Sequence, residues 1–175
     1  LKTVIKNMPE FTLHDDTHIF NMLTIIGKLI PQENMRKLST PDLFMLIVSV
    51  FLHDIGMAPD EKHILAWKNQ LPETEYDEEL KEEREKFARF RLTYTHQLAD
   101  IERLETEQEF SKAQLLEDYI VTEYIRTTHS IRAREVIAKY WAGEIVYQDT
   151  DLTEDLATIC FSHNESYTYL LQMET

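Results

Sequence analysis

Glycine and proline are scarce in this chain, with three and five among 175 residues. So few turn-forming residues exclude a fold of many short strands and tight hairpins, and they favour long helices. Cys160 is the only cysteine, which excludes an intrachain disulfide and points to a reducing compartment. Basic residues are also short: 18 Lys and Arg face 32 Asp and Glu, for a formal net charge of −14. That balance excludes a general grip on DNA or RNA, which needs a basic face to release counterions. It leaves open a small phosphate compound bound through a metal ion. The longest strongly apolar run, Leu43 to Leu52, falls short of the roughly 20 residues that span a bilayer. There is no signal-peptide pattern. The chain begins at Leu1 rather than Met and stops at Thr175 without a clear tail, which reads as a fragment of a larger protein. Its length suits one domain able to bury a core.

What the chain does have is helical periodicity. Leu1 to Leu13 reads as a lead-in broken by Pro9. Asp15, Asp16 or Thr17 can cap a helix running to about Leu29, with Ile19, Met22, Leu23, Ile26 and Leu29 on its apolar side and His18 close to that side. Ser39-Thr40-Pro41-Asp42 is a second helix start: a hydroxyl cap, then Pro and an acid in the first turn. This helix is expected to run to about Asp54. Its LFMLIVSVFL stretch has Ser49 as the only polar residue, which predicts a central helix buried nearly all round. Gly56 and Pro59 end it, and 62–69 reads as a short helix.

Between residues 73 and 109 the character changes. Thirteen acids against six bases give this stretch a net −7, half the charge of the whole chain. Phe87, Phe90, Tyr94, Leu98, Ile101 and Leu104 still form a helical stripe, so 73–109 reads as a charged helix or hairpin with one docked side, inserted in the domain. A helix from Ser111 to Thr127 follows. Thr127-Thr128-His129-Ser130 is expected to interrupt it before a new helix reaches Gly143. Asp149 to Asp151 reads as a turn, and Thr153 opens a last helix on which Leu152, Leu156, Ile159 and His163 share one face.

The chemistry concentrates on His53-Asp54, two metal-ligand types where the apolar helix ends. A buried imidazole or carboxylate left unpaired is costly, and a metal ion is one partner that can satisfy both. His18 and His163 likewise terminate or begin core-facing stripes, and His129 sits at the expected helix junction. Imidazole and carboxylate together suit divalent Zn, Mn, Fe, Co or Mg. Such ions acidify bound water, polarise a phosphoryl oxygen and, in pairs, clamp an in-line displacement.

The pattern resembles the HD superfamily of metal-dependent phosphohydrolases. The resemblance is carried by His18, by His53-Asp54 inside "LHDIG", by His129 in "THSIRAREVI" and by His163 in "ICFSHNE". It implies an all-α HD-domain helical bundle, with residues 1–175 forming a single domain and 73–109 a charged helical insertion. In members with two metals, two histidines lie between the His-Asp pair and a last Asp; His129 and His163 match them in order. The implied ligand set is His18, His53 and Asp54 for one ion and Asp54, His129 and His163 for a second, with Asp54 bridging and also acting in catalysis.

Three features depart from the family pattern. No Asp follows His163; Asp149, Asp151 and Asp155 precede it, which leaves a ligand beyond Thr175, Glu165 standing in for it, or a degenerate site. Met57 stands where a Lys often follows the "HDIG" motif. The Gly-Tyr-Pro motif of cyclic-di-GMP phosphodiesterases is missing, which argues against that substrate. The spacing of Thr12, His14 and His18 more loosely resembles HD domains fused to chaperone-like ATPase modules.

Each candidate has a plainer reading. His53 and Asp54 could be a satisfied core pair, His129 a helix-cap histidine and His163 a core histidine on a backbone carbonyl. His14, four residues before His18, is its rival as a ligand. His63 and His96 match no family position and read as surface residues. Arg126, Arg132 and Arg134 flank His129. Guanidinium suits phosphate, and Arg132 is the one expected to steady a phosphoryl group, against the alternative of salt bridges to the many acids. Cys160 lies on an apolar helix side without basic neighbours and reads as core.

The leading expectation is a cytoplasmic phosphohydrolase using one or two divalent ions on a nucleotide or cyclic nucleotide phosphate ester, without membrane or general nucleic-acid binding. The alternative is a regulatory module that binds metal or nucleotide without turnover and signals to a fused effector domain. In either case the charged arm could dock that domain or a second copy of the chain. A third reading is an interaction scaffold with remnant histidines.

Overall fold

The computed structural model describes residues 16–173. The lead-in over residues 1–13 and the rival ligand His14 lie outside them. The fold is all-α apart from one small hairpin. In chain order the elements are α1 (Asp16–Leu29), α2 (Gln32–Met35), α3 (Thr40–Leu52), a 3-10 turn (Ile55–Met57), α4 (Glu61–Trp67), a second 3-10 turn (Glu73–Glu75), α5 (Glu78–Arg91), α6 (Thr95–Thr106), α7 (Phe110–Tyr140), β1 (Val146–Tyr147), β2 (Thr150–Asp151), α8 (Thr153–Ser162) and α9 (Tyr167–Met173). The chain divides into two compact units, Leu1–Ala58 with Thr128–Thr175, and Pro59–Thr127. The charged stretch 73–109 falls within the second.

In the first unit, α3 starts with a reciprocal cap. The Ser39 backbone N–H donates to the Asp42 carboxylate at 2.8 Å, and the Asp42 N–H donates back to Ser39 Oγ at 3.4 Å. Two otherwise orphaned donors are thus satisfied. The Ser39 hydroxyl and backbone N–H hold the Asp42 carboxyl below its usual range. From this start α3 packs on α1 and α8. Met45 and Leu52 of α3, Ala133 and Ile137 of α7, and Leu156, Ala157 and Cys160 of α8 form the core with Ile145, edged by Val48, Ile55, Trp141 and Leu152.

The expectation that α3 is buried nearly all round is corrected here. Met45, Ser49, Val50 and Leu52 point inward, whereas Phe44, Ile47 and Phe51, at helical spacing, are exposed. An apolar sequence makes burial favourable, but only elements packed against it supply burial, and the described neighbours leave that stripe open. The apolar side of α1 is similarly shallow: Ile19, Met22, Leu23 and Ile26 are half-buried and Leu29 is exposed.

A second correction concerns α7, which runs unbroken through Thr127 to Ser130. Thr127 Oγ1 donates to the Glu123 carbonyl at 2.9 Å, one helical turn back. A hydroxyl satisfied inside the helix in this way need not interrupt it. His129 is therefore a mid-helix residue. Beyond α7, Gln148 and Asp149 take positive φ (46° and 65°) between β1 and β2, the backbone of a two-residue hairpin turn. The turn expected at Asp149 to Asp151 lies one residue earlier, because Thr150 and Asp151 form β2. Asp151 then accepts from the Thr153 N–H at 2.9 Å at the entry to α8, and the Thr153 hydroxyl and N–H lower the pKa of its carboxyl.

The second unit is organised on aromatic rings. Trp67, Phe87 and Tyr124 pack mutually, Tyr124 lying edge-on to Trp67 at 5.1 Å and to Phe87 at 5.2 Å between centroids. Ala66, Leu71, Tyr76 and Leu80 form a smaller cluster beside Leu65. The single long helix open for 73–109 is not found: α5 and α6 are separate helices, broken between Arg91 and Thr95. Their charges pair along their own surfaces, Lys86 with Glu82 and Glu83, and Arg103 with Asp100 and Glu107.

Thr40–Trp67 is long and apolar enough to cross a membrane by length and composition. It is not one helix, because α3 ends at Leu52 and α4 begins at Glu61. At 1.5 Å per residue α3 spans about 20 Å, against a hydrocarbon core of about 30 Å.

Cys160 is fully buried, as its place on the apolar side of α8 predicts. Burial, with a contribution from the Asp54 charge, pushes its thiol up to about 12. Alkylation by iodoacetamide at mildly alkaline pH is therefore expected to be slow in the folded protein and fast in denaturant. Equal rates in the two states would contradict this packing.

Candidate metal centre

The centre is built in the first unit from the ends of α1 and α3, the middle of α7 and the end of α8. His53 follows directly on α3, with Asp54 next in the turn before Ile55–Met57. Helix ends are suitable places for such groups, because the side chains of the last turn extend beyond the packed stripe without disrupting it. His53 is buried at the end of α3's inward side, and its Nδ1 donates to the Val50 carbonyl, three residues back, at 2.9 Å. His163 repeats the device at the end of α8: its Nδ1 donates to the Cys160 carbonyl at 2.5 Å. A carbonyl oxygen can only accept, so both Nδ1 atoms carry hydrogen, and the lone pair of each neutral ring is left on Nε2.

These Nε2 atoms point at Asp54. Its Oδ2 lies 2.7 Å from His53 Nε2 and 3.8 Å from His18 Nε2. Its Oδ1 lies 3.4 Å from His129 Nε2 and 3.7 Å from His163 Nε2. The carboxylate is thus divided between two pairs of imidazoles. His129 Nε2 and His163 Nε2 are 2.8 Å apart. In each triad, His18–His53–Asp54 and Asp54–His129–His163, the candidate donor atoms lie within 4.8 Å of one another.

This donor set fits a divalent cation. With Nδ1 fixed as donor on His53 and His163, a neutral ring turns its Nε2 lone pair toward carboxylate oxygens or another imidazole. Such facing lone pairs repel unless a proton or a cation lies between them. In the metal-free protein a proton on His53 can do this. Burial pushes its imidazole toward the neutral form, but the Asp54 hydrogen bond and charge and the Val50 carbonyl outweigh burial, so its pKa lies above the ordinary 6.5.

Exposure gives the cluster a floor and a rim. The side chains of His53 and His129 are 10% exposed and that of Asp54 18%, whereas His18 and His163 are 34% and 28% exposed. The structure therefore brings together all five residues expected as ligands, including His129, whose predicted helix junction does not exist. Glu165 is half-buried, and its backbone N–H caps back to Ser162 at 3.0 Å; it belongs to neither triad. Asp149, Asp151 and Asp155 are exposed. Arg126 pairs with Glu123 at 3.5 Å, and Arg134 lies over the Phe161 ring at 5.7 Å. Arg132 is buried, and its Nε donates to the Gly56 carbonyl at 3.1 Å. In the other unit His96 is exposed, while His63 is half-buried, with Nε2 3.9 Å from Glu79.

Gly56 had read only as a helix stop. A Cβ at this position would lie 2.0 Å from the His129 carbonyl oxygen and 2.7 Å from the Ala133 nitrogen. The turn that carries Asp54 thus meets the α7 backbone with no room for a side chain. The available signal was a glycine directly after His-Asp-Ile in a chain with only three glycines.

Fold and site together define an HD-type domain. The family model HD-CE matches residues 8–175, and the chain belongs to the HD-CE family. No curated protein and no solved structure matches it.

A cation at this centre must displace the proton shared by His53 and Asp54, so its uptake releases protons. The sign follows from the raised pKa. The His53 proton contributes stability to the metal-free protein in full below 6.5, and that contribution is lost as the pH rises through the folded value. Apparent Mn(II) affinity is expected to rise between about pH 6 and 8. Calorimetry in buffers of different ionisation enthalpy is expected to detect the released protons. Affinity independent of pH, with no proton release, would rule out binding at these imidazoles.

Proposed function

We propose that this domain is a metal-dependent phosphohydrolase acting on a small phosphate ester, with a nucleotide or cyclic nucleotide as the favoured class. The observation that carries the reading is the division of the Asp54 carboxylate, Oδ2 toward His18 and His53 and Oδ1 toward His129 and His163. HD-type domains are generally metal-dependent hydrolases, and the donor set suits one or two divalent ions. When bound, such ions supply Lewis acidity toward phosphoryl oxygens and activate water.

The residues of the chain do the rest. Asp54 would share its charge between two ions, with His18 and His53 on one side and His129 and His163 on the other. The buried rings of His53 and His129 would close the floor against bulk water. His18 and His163, at the rim, would border the side on which the phosphate arrives. A chain with net charge −14 repels a free phosphate at long range, so cations in the cluster would have to supply the local attraction. The proposal is a domain working on a soluble substrate in the cytoplasm.

A second reading, binding without turnover in a regulatory module, draws support from Met57. Its side chain is buried, so it offers nothing to a phosphate at the position where a Lys is frequent in this superfamily. Assaying Mn(II)- or Fe(II)-loaded protein on nucleotides, cyclic nucleotides and a generic phosphodiester separates the two. The phosphohydrolase reading expects turnover of at least one class, reduced by roughly a hundredfold or more in His53→Ala and Asp54→Ala. Tight metal with no turnover on any substrate would favour the regulatory reading. Turnover unchanged in both variants would place the chemistry elsewhere.

A further inference from the structure

We infer that Arg132 is a positioning residue: its guanidinium ties the turn carrying His53-Asp54 to the helix carrying His129, and so fixes the register of the two triads. The inference rests on the reading of the cluster as a metal centre and concerns how its two halves are held together. Asp54 and His129 come from segments far apart in sequence. His53 is tied to α3 through its N–H to the Ser49 carbonyl at 2.8 Å, whereas Asp54 lies in the short stretch that follows the helix. Within it, the Met57 N–H donates to the Asp54 carbonyl at 2.9 Å and the Ala58 N–H to the Ile55 carbonyl at 3.3 Å. A single 3-10 turn is a weak support for a carboxylate that must serve two ligand pairs, because its hydrogen bonds are few and poorly aligned.

Besides the approach of Asp54 to His129, two contacts at Gly56 join that turn to α7. The Gly56 backbone abuts the backbone from His129 to Ala133, so closely that no Cβ fits between them. Beside this contact, Arg132 Nε donates to the Gly56 carbonyl at 3.1 Å. The steric contact prevents closer approach, and the hydrogen bond opposes separation. Arg132 is three residues after His129, so both project from one side of α7. A displacement of the turn along α7 would change the Asp54–His129 separation and the Arg132–Gly56 bond together. Arginine suits the task because its planar fork keeps Nε–H fixed in direction while the charge remains at any pH. With the residue only 9% exposed and its Nε engaged on backbone, Arg132 is poorly placed to steady an incoming phosphoryl group.

The test compares wild type with Arg132→Met and Arg132→Lys, using Arg134→Ala as an exposed control on the same helix. In metal-free protein, amide exchange at Met57 and Ala58 is expected to accelerate roughly tenfold or more in Arg132→Met, with Arg132→Lys intermediate and Arg134→Ala unchanged. By calorimetry, Mn(II) affinity is expected to fall roughly ten- to hundredfold in Arg132→Met and to recover in part in Arg132→Lys, the usual scale for residues that orient metal ligands. If Arg132→Met does not fold, the Lys variant alone decides, through faster exchange at the two amides and weaker Mn(II) binding. Unchanged exchange and unchanged Mn(II) affinity in the folded variants would overturn the inference. So would intact metal affinity with weakened binding of inorganic phosphate to the Mn(II)-loaded protein, the signature of a phosphate contact. Failure of the metal-centre reading is separately visible, because wild-type protein would then bind no Mn(II) while the exchange measurement still tests the tie between turn and helix.

Discussion

An ionised carboxylate among four imidazoles is the constraint to which the rest of this centre answers. Asp54 is mostly shielded from water, and an anion in such a place needs compensating charge or hydrogen bonds to remain ionised. The surrounding histidines give only lone pairs where their Nδ1 hydrogens are already committed to carbonyls, as in His53 and His163. The missing positive charge must therefore come from protons or from cations. The Asp54 hydrogen bond and charge raise the pKa of His53, which favours a proton in this role without metal. Two ligand pairs on opposite oxygens of one carboxylate are the arrangement in which divalent ions would fill it, and this is why metal binding is central to the proposed function.

The scaffold serves that constraint through helix register. On α8, Leu156 and Cys160 anchor the core, and one further turn brings His163 to the centre. On α7, Ile137 and Ala133 are core residues and His129 lies one turn before Ala133 on the same side. On α3, the buried Ser49, Val50 and Leu52 lead directly to His53. His53, His129 and His163 are thus in register with buried core residues of their own helices, so stabilising the core also orients these three ligands. Asp54 is the ligand that lies beyond its helix, in the turn before Ile55–Met57. The contact of Gly56 with the α7 backbone and the hydrogen bond from Arg132 compensate for this.

Much of this was legible in the sequence for specific physical reasons. Ser39 to Asp42 announced α3 because capping is local chemistry. The His53-Asp54 pair was conspicuous because polar groups at the end of a greasy run need partners. His163 could be placed because its spacing from Leu156 is helical, although Ile159, read on the same side, is exposed. Other features could not be read locally. Thr127 to Ser130 read as a break, yet the Thr127 hydroxyl turns back to a carbonyl of its own helix, and nothing in composition distinguishes the two. The open stripe of Phe44, Ile47 and Phe51 was hidden because apolarity records what could be buried, whereas burial depends on which elements arrive. The tight approach of Gly56 to His129 is a tertiary contact between segments more than 70 residues apart, and a lone glycine gives no hint of its partner. The hydrogen bond of Arg132 to the Gly56 carbonyl was obscured in the same way, since an arginine three residues after a histidine suits a phosphate and a backbone carbonyl equally well.

The central claim is that one carboxylate serves two cation subsites. The most direct test titrates metal-free protein with Mn(II) and follows it by electron paramagnetic resonance. The account predicts that the second equivalent replaces the signal of isolated Mn(II) with that of a spin-coupled pair, and that Asp54→Asn abolishes the coupling while the fold persists. A single uncoupled Mn(II) at saturation, or a coupled pair that survives in Asp54→Asn, would contradict it.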